Sequence, residues 1–244
     1  TLRSGPGWSV VKEYPHDRTA FTQGLAVYDG RLYESTGEYG RSGVRVVDLE
    51  TGAVRASQPL ESPDHFGEGI AVSNGTVHQL TWRGSVGFTY DAETLLPRGS
   101  YAFKTTTNQG WGMTTDGDSL IVSDGSDVLH FWDPITHTER RRVSVRLPDG
   151  RGVARLNELE YYRDTILANV WLEDVILRID PVTGAVLRAY DFSALYPRPQ
   201  RKADRVMVED ACLNGIAYDA DENAVYLTGK LWPRLYKVVL DDLR

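Results

Sequence analysis

Ten side chains of this 244-residue chain could do chemistry together: Phe21, Gln23, Phe66, Glu68, Trp82, Trp111, Asn157, Trp171, Asn214 and Lys230. One carboxylate, one ammonium and three amides among aromatic rings can hold a small polar ligand and move a proton on it. Taken singly, each has a structural use. Tryptophans fill cores, amides brace loop backbone, and a lone Glu or Lys is ordinarily solvated. What joins them is their position in a repeat.

The repeat begins with a short start motif. It occurs as Gly24-Leu25-Ala26-Val27, Gly69-Ile70-Ala71-Val72, Gly112-Met113-Thr114-Thr115, Glu158-Leu159-Glu160-Tyr161 and Gly215-Ile216-Ala217-Tyr218. The spacings run from 43 to 46 residues, with 57 before the last. Each start leads to a second strand ending in Glu34–Gly37, Leu80–Trp82, Ser123–Gly125, Asn169–Trp171 or Thr228–Lys230. A third strand follows, and in four units a fourth. This period, with several short strands in each unit, predicts an all-β, five-bladed β-propeller with four-stranded blades. The blades fall at about 22–60, 66–103, 110–146, 156–192 and 213–240 of a single domain spanning 1–244. The fifth unit lacks an outer strand, and Trp8–Tyr14 reads as a strand without a unit. It is therefore expected to complete the last blade and close the ring.

In such a blade the first two strands are antiparallel, so the start of one and the end of the next share an edge. First strands line the axis. The ten residues all sit at first-strand entries or second-strand exits, and converge on one mouth of the channel. Trp8, Trp132 and Trp232 do not, and are read as core. His65 lies near Glu68 and is assigned to loop packing. Leu195–Val208, rich in Pro, Arg and Lys, connects blades on the same face and is expected to form a mobile flap at the mouth.

Composition narrows the partners. A net charge of −7 argues against nucleic acid or an anionic membrane, and no apolar run is long enough to span a bilayer. Cys212 is the one cysteine, so no internal disulfide forms. The five histidines show no metal-ligand spacing. The chain opens on Thr1, and a periplasmic or secreted protein with its leader removed is the expectation. Arginine-rich composition leans bacterial, and a closed ring with no evident dimer edge leans monomeric.

Phe21-Thr22-Gln23-Gly24-Leu25, Phe66-Gly67-Glu68-Gly69-Ile70, Gln79-Leu80-Thr81-Trp82, Gly110-Trp111-Gly112-Met113, Leu156-Asn157-Glu158, Ala168-Asn169-Val170-Trp171, Leu213-Asn214-Gly215 and Thr228-Gly229-Lys230 occur in that order. Together they resemble the plant-type glutaminyl cyclases, a family also found in bacteria. The resemblance runs from Tyr14 to Val239. It implies a five-bladed propeller that converts the N-terminal glutamine of peptides or proteins to pyroglutamate, releasing ammonia without a metal. On this resemblance Glu68 is the proton-transfer carboxylate, and Asn157 and Lys230 are polar groups of the reaction. Gln23 binds substrate, and Phe21, Phe66, Trp82, Trp111 and Trp171 form the walls. Gln109 stands where the resemblance implies an acid, and is read as peripheral. Two other readings compete. A calcium-dependent, lactonase-like propeller hydrolase would use Glu68, Asn157 and Asn214 as oxygen ligands, and a non-catalytic propeller would only bind peptides. No cofactor is expected for the cyclase, while a structural calcium outside the reaction stays open.

Overall fold

The computed structural model describes residues 4–206 and 210–241. Every sheet is antiparallel, and the first four blades are built in chain order from the axis outward. Blade one comprises Thr22–Tyr28, Arg31–Thr36, Gly43–Val47 and Val54–Pro59. Blade two comprises Gly67–Ser73, Thr76–Thr81, Val86–Asp91 and Pro97–Ala102. Blade three comprises Met113–Thr115, Leu120–Ser123, Val128–Trp132 and Glu139–Ser144. Blade four comprises Leu156–Tyr162, Thr165–Val170, Val175–Ile179 and Val186–Asp191. Blade five takes Leu213–Asp219, Ala224–Gly229 and Arg234–Leu240 from the C-terminal end. Its fourth strand is Trp8–Pro15, which pairs with Arg234–Leu240 and closes the ring. A two-residue strand, Ser4–Gly5, folds back on Trp8 and makes this one sheet five-stranded.

The outer turns explain the repeat's acidic punctuation. Asp48, Asp91, Asp133 and Asp180 each accept the backbone N–H three residues on, at 2.8–2.9 Å. Arg55, Arg98 and Arg140, seven residues further along, return to the other carboxylate oxygen and start the outer strand. These outer strands are largely exposed, and their arginines make them poor templates for another chain.

The core lies between blades. Among the described residues five apolar clusters occur, one at each blade junction, and Trp8, Trp132 and Trp232 are buried within them. At the axis the first strands approach so closely that glycine is needed. A Cβ on Gly69 would lie 2.5 Å from the backbone nitrogen of Met113, and one on Gly112 would lie 2.0 Å from the Asn157 carbonyl oxygen.

Blade four differs, with Glu158 at the equivalent point of its start motif. The Glu158 carboxylate crosses the axis and accepts the backbone N–H groups of Leu25 (3.2 Å) and Ile216 (2.8 Å). Two residues on, Glu160 accepts from the Tyr218 N–H (2.7 Å) and the Thr114 hydroxyl (3.1 Å). Burial pushes both acids up, Glu158 well above the ordinary range and Glu160 to about 8. The folded protein therefore holds a proton on Glu160 that the unfolded chain releases near its ordinary value of 4.5. Its contribution to stability is greatest below that value and falls as pH rises towards about 8. The urea midpoint is expected to drop between about pH 5 and pH 9, and Glu160→Gln, which cannot ionise, should flatten that drop.

Candidate active site

First-strand bulges aim the polar groups. The pairing of blade one shifts between Thr22 and Gly24, across Gln23, and that of blade two between Gly67 and Ile70, across Glu68. Blades four and five repeat the device across Asn157 and Asn214. An extra residue in one strand re-aims a side chain that the pleat would otherwise send into the neighbouring blade.

Phe21, Gln23, Phe66, Glu68, Trp82, Trp111, Asn157, Trp171 and Lys230 line one cavity of about 310 Å³, together with Glu38 and Asp210. Asn214 does not line it. It is fully buried behind Gln23, donating to the Thr22 carbonyl (3.0 Å) and to Gln23 Oε1 (3.2 Å). Gln23 Nε2 in turn donates to Glu68 Oε1 at 3.2 Å. Asn157 Oδ1 is buried with no hydrogen-bond partner among the described residues, so an acceptor is left for a ligand. His65 packs beside Phe88 rather than in the cavity.

The walls are edge-to-face aromatics. Phe66 meets Phe21 and Trp82, each at 5.9 Å between centroids, and Trp111 meets Trp171 at 5.6 Å. Gly125 makes room for one of these rings, since a Cβ there would lie 2.7 Å from the Trp111 indole.

Gln109 is not peripheral. Its Oε1 accepts both the Trp82 indole N–H (2.6 Å) and the Trp111 indole N–H (3.0 Å), tying walls from two blades to one atom. Its loop is pinned by Thr105, whose hydroxyl donates to the Gln109 carbonyl, and by Thr107, whose N–H donates to Asp124. Gln109→Leu removes the shared acceptor. For a glutaminyl peptide, the substrate that the resemblance implies, KM is expected to rise about tenfold with kcat within a few-fold, since two net hydrogen bonds of the binding wall are lost.

Asp210, absent from the sequence expectation, does the same for the remaining wall. Its Oδ1 accepts the Trp171 indole N–H at 2.6 Å and lies 3.3 Å from Lys230 Nζ. Lys230 is 2% exposed, with its ammonium 4.7 Å above the Phe21 ring. Glu68 is 5% exposed. Burial raises its pKa well above the ordinary range, the Lys230 charge pulls it down, and Asp210 pushes it up. Burial outweighs the lysine.

The expected flap takes another form. Leu195 and Tyr196 are fully buried, and Arg198–Ala203 is a short helix. Arg201 bonds the Tyr196 carbonyl and Asp174, and lies over the Trp232 ring. The described part, to Val206, is an anchored elbow and contributes nothing to the cavity lining. Residues 207 and 208 of the expected flap lie outside the described residues.

A family model described as glutamine cyclotransferase matches residues 4–240. The chain belongs to the glutamine cyclotransferase family. Among curated relatives of this cyclotransferase, the glutaminyl-peptide cyclotransferase of Arabidopsis thaliana is 43% identical over 233 residues, covering 95% of this chain and 70% of the relative. The crystal structure of Myxococcus xanthus glutaminyl cyclase matches with a TM-score of 0.87 at 34% identity, over 97% of both chains. The five-bladed propeller is thus the fold of a solved cyclase, and membership favours the cyclase over the hydrolase and peptide-binding readings.

Proposed function

We propose that this cavity cyclises the N-terminal glutamine of peptides or proteins to pyroglutamate, with Glu68 moving the proton. The observation that carries the reading is a carboxylate buried among five aromatic rings, bonded to Gln23 and sharing the cavity with one ammonium. The reaction is intramolecular. The α-amine attacks the side-chain carbonyl, a nitrogen–carbon bond forms, and the bond from that carbon to the amide nitrogen breaks.

Most of the barrier is geometric, and rigid rings can hold glutamine bent with its amine against its own carbonyl. The attacking nitrogen gives up one proton as the bond forms, and the departing nitrogen needs one to leave as ammonia. Glu68 takes the first and returns it as the second, so protons balance. An ordinary carboxylate is too weak a base for an amine of pKa near 8. The burial that raises Glu68 brings the two closer and makes both transfers easier. Lys230 and the Asn157 amide supply donors for the negative charge that gathers on the carbonyl oxygen.

The same lysine supports a metal-independent reaction, because an ammonium facing Glu68 disfavours a cation there. The deciding experiment is ammonia release from a Gln-initiated dipeptide, with and without EDTA, and with the product checked by mass. Chelator-resistant release is expected. No release would overturn the cyclase reading, and release abolished by EDTA would overturn the metal-independent one.

A further inference from the structure

Trp82 and Trp111 are held by a neutral amide, Gln109, whereas Trp171 is held by a carboxylate, Asp210. Fixing an indole therefore does not itself require charge. What Asp210 meets in addition is Lys230, whose Nζ is 3.3 and 3.4 Å from its two oxygens. Lys230 is nearly fully buried, and among the described residues Asp210 is its one carboxylate partner within ion-pair distance.

We infer that Asp210 is a positioning residue for the cyclisation, one carboxylate that fixes the Trp171 wall and at the same time holds the Lys230 ammonium. The inference rests on the cyclase reading of the cavity. The groups that face one another are Glu68 from blade two, Lys230 from the second-strand exit of blade five, and Asp210 with the buried Cys212 thiol from the segment entering blade five. Glu38 lines the same cavity from blade one. With Asp210 charged, part of the lysine's field ends on it, and Glu68 keeps the proton affinity that its burial imposes. With Asp210 neutral, that field falls on Glu68 and makes it a weaker base.

Two variants separate the two tasks. Asp210→Asn keeps an oxygen for the Trp171 indole and removes the charge, while Asp210→Ala removes both. In Asp210→Asn, KM should stay within a few-fold, kcat should fall about tenfold or more, and the acid limb of the kcat profile should move to lower pH. Asp210→Ala should raise KM as well. The Glu68 carboxyl is followed directly by NMR titration of the free enzyme with side-chain-labelled glutamate, using Glu68→Gln to assign its signal. Its midpoint should be lower in Asp210→Asn than in the parent. An unmoved midpoint overturns the inference whatever the activity. Identical KM, kcat and pH profiles for the Asn and Ala variants also overturn it, since that is the result of a purely structural aspartate. A midpoint that falls in Asp210→Asn as expected, with no ammonia released by the parent, defeats the cyclase reading alone and leaves the positioning of Lys230 standing.

Discussion

Glu68→Gln is expected to lower kcat for a Gln-initiated dipeptide by about 10²–10⁴-fold, the range for loss of a positioned acid–base group. KM should stay within a few-fold, because the amide keeps the shape of the side chain and an oxygen for Gln23 Nε2. Stability should hold or improve, since the substitution replaces a buried ionisable group by a neutral one.

The pH dependence gives the role its sign. Glu68 accepts a proton, so its working form is the carboxylate, and burial raises the pH at which that form appears. Activity of the parent should therefore climb with pH along a limb displaced to the alkaline side of an ordinary glutamate. The residual activity of Glu68→Gln should lose that limb and follow only the ionisation of the substrate amine. A parent profile that is flat from acid to neutral pH would remove Glu68 from the proton path.

Glu158→Ala is expected to cost the fold several kcal/mol of stability, on the order of the penalty for stranding two buried donors. The Leu25 and Ile216 N–H groups are left with no acceptor, at about 1–3 kcal/mol each, or roughly 2–6 kcal/mol together. The void left by the side chain adds to this. Chemical denaturation reads the loss as a lower midpoint at unchanged slope. Glu158→Gln keeps one oxygen and should lie between parent and alanine. Asn157 precedes Glu158 on the same bulge, so the alanine variant should also lose activity. If the midpoint of Glu158→Ala matches the parent, the carboxylate does not brace the ring.

The period of the fold was legible because turn residues mark each strand end and the apolar positions repeat with them. Closure was legible from an imbalance, a C-terminal unit one strand short and an N-terminal strand with no unit. The short Ser4–Gly5 strand was not, since two residues around a Pro6-Gly7 turn carry no periodicity.

The lining of the cavity was legible because blade symmetry converts position in the repeat into position in space. The residues that brace it were not. Gln109 and Asp210 lie in loops whose path no alternation encodes, and the Trp82 and Trp171 rings they fix come from other loops. Glu158 was visible as the odd member among glycines, but its reach to blades one and five appears only once the ring is closed. The elbow at 195–206 misled because its Pro, Arg and Lys content reads as solvated. Arg201, however, spends its guanidinium on the Tyr196 carbonyl, Asp174 and the Trp232 ring.

Below Gln23 the Glu158 carboxyl and the tight glycines draw the first strands together at the axis. The cavity lies at the mouth of the channel, so a chain end reaches it from that face. A cavity of about 310 Å³ is small beside a folded client, which must bring its chain end to it. The enzyme would thus inspect only the tip of its client, indifferent to glutamines elsewhere along it. For a folded client the governing quantity becomes how far, and how often, that tip stands clear of its own surface.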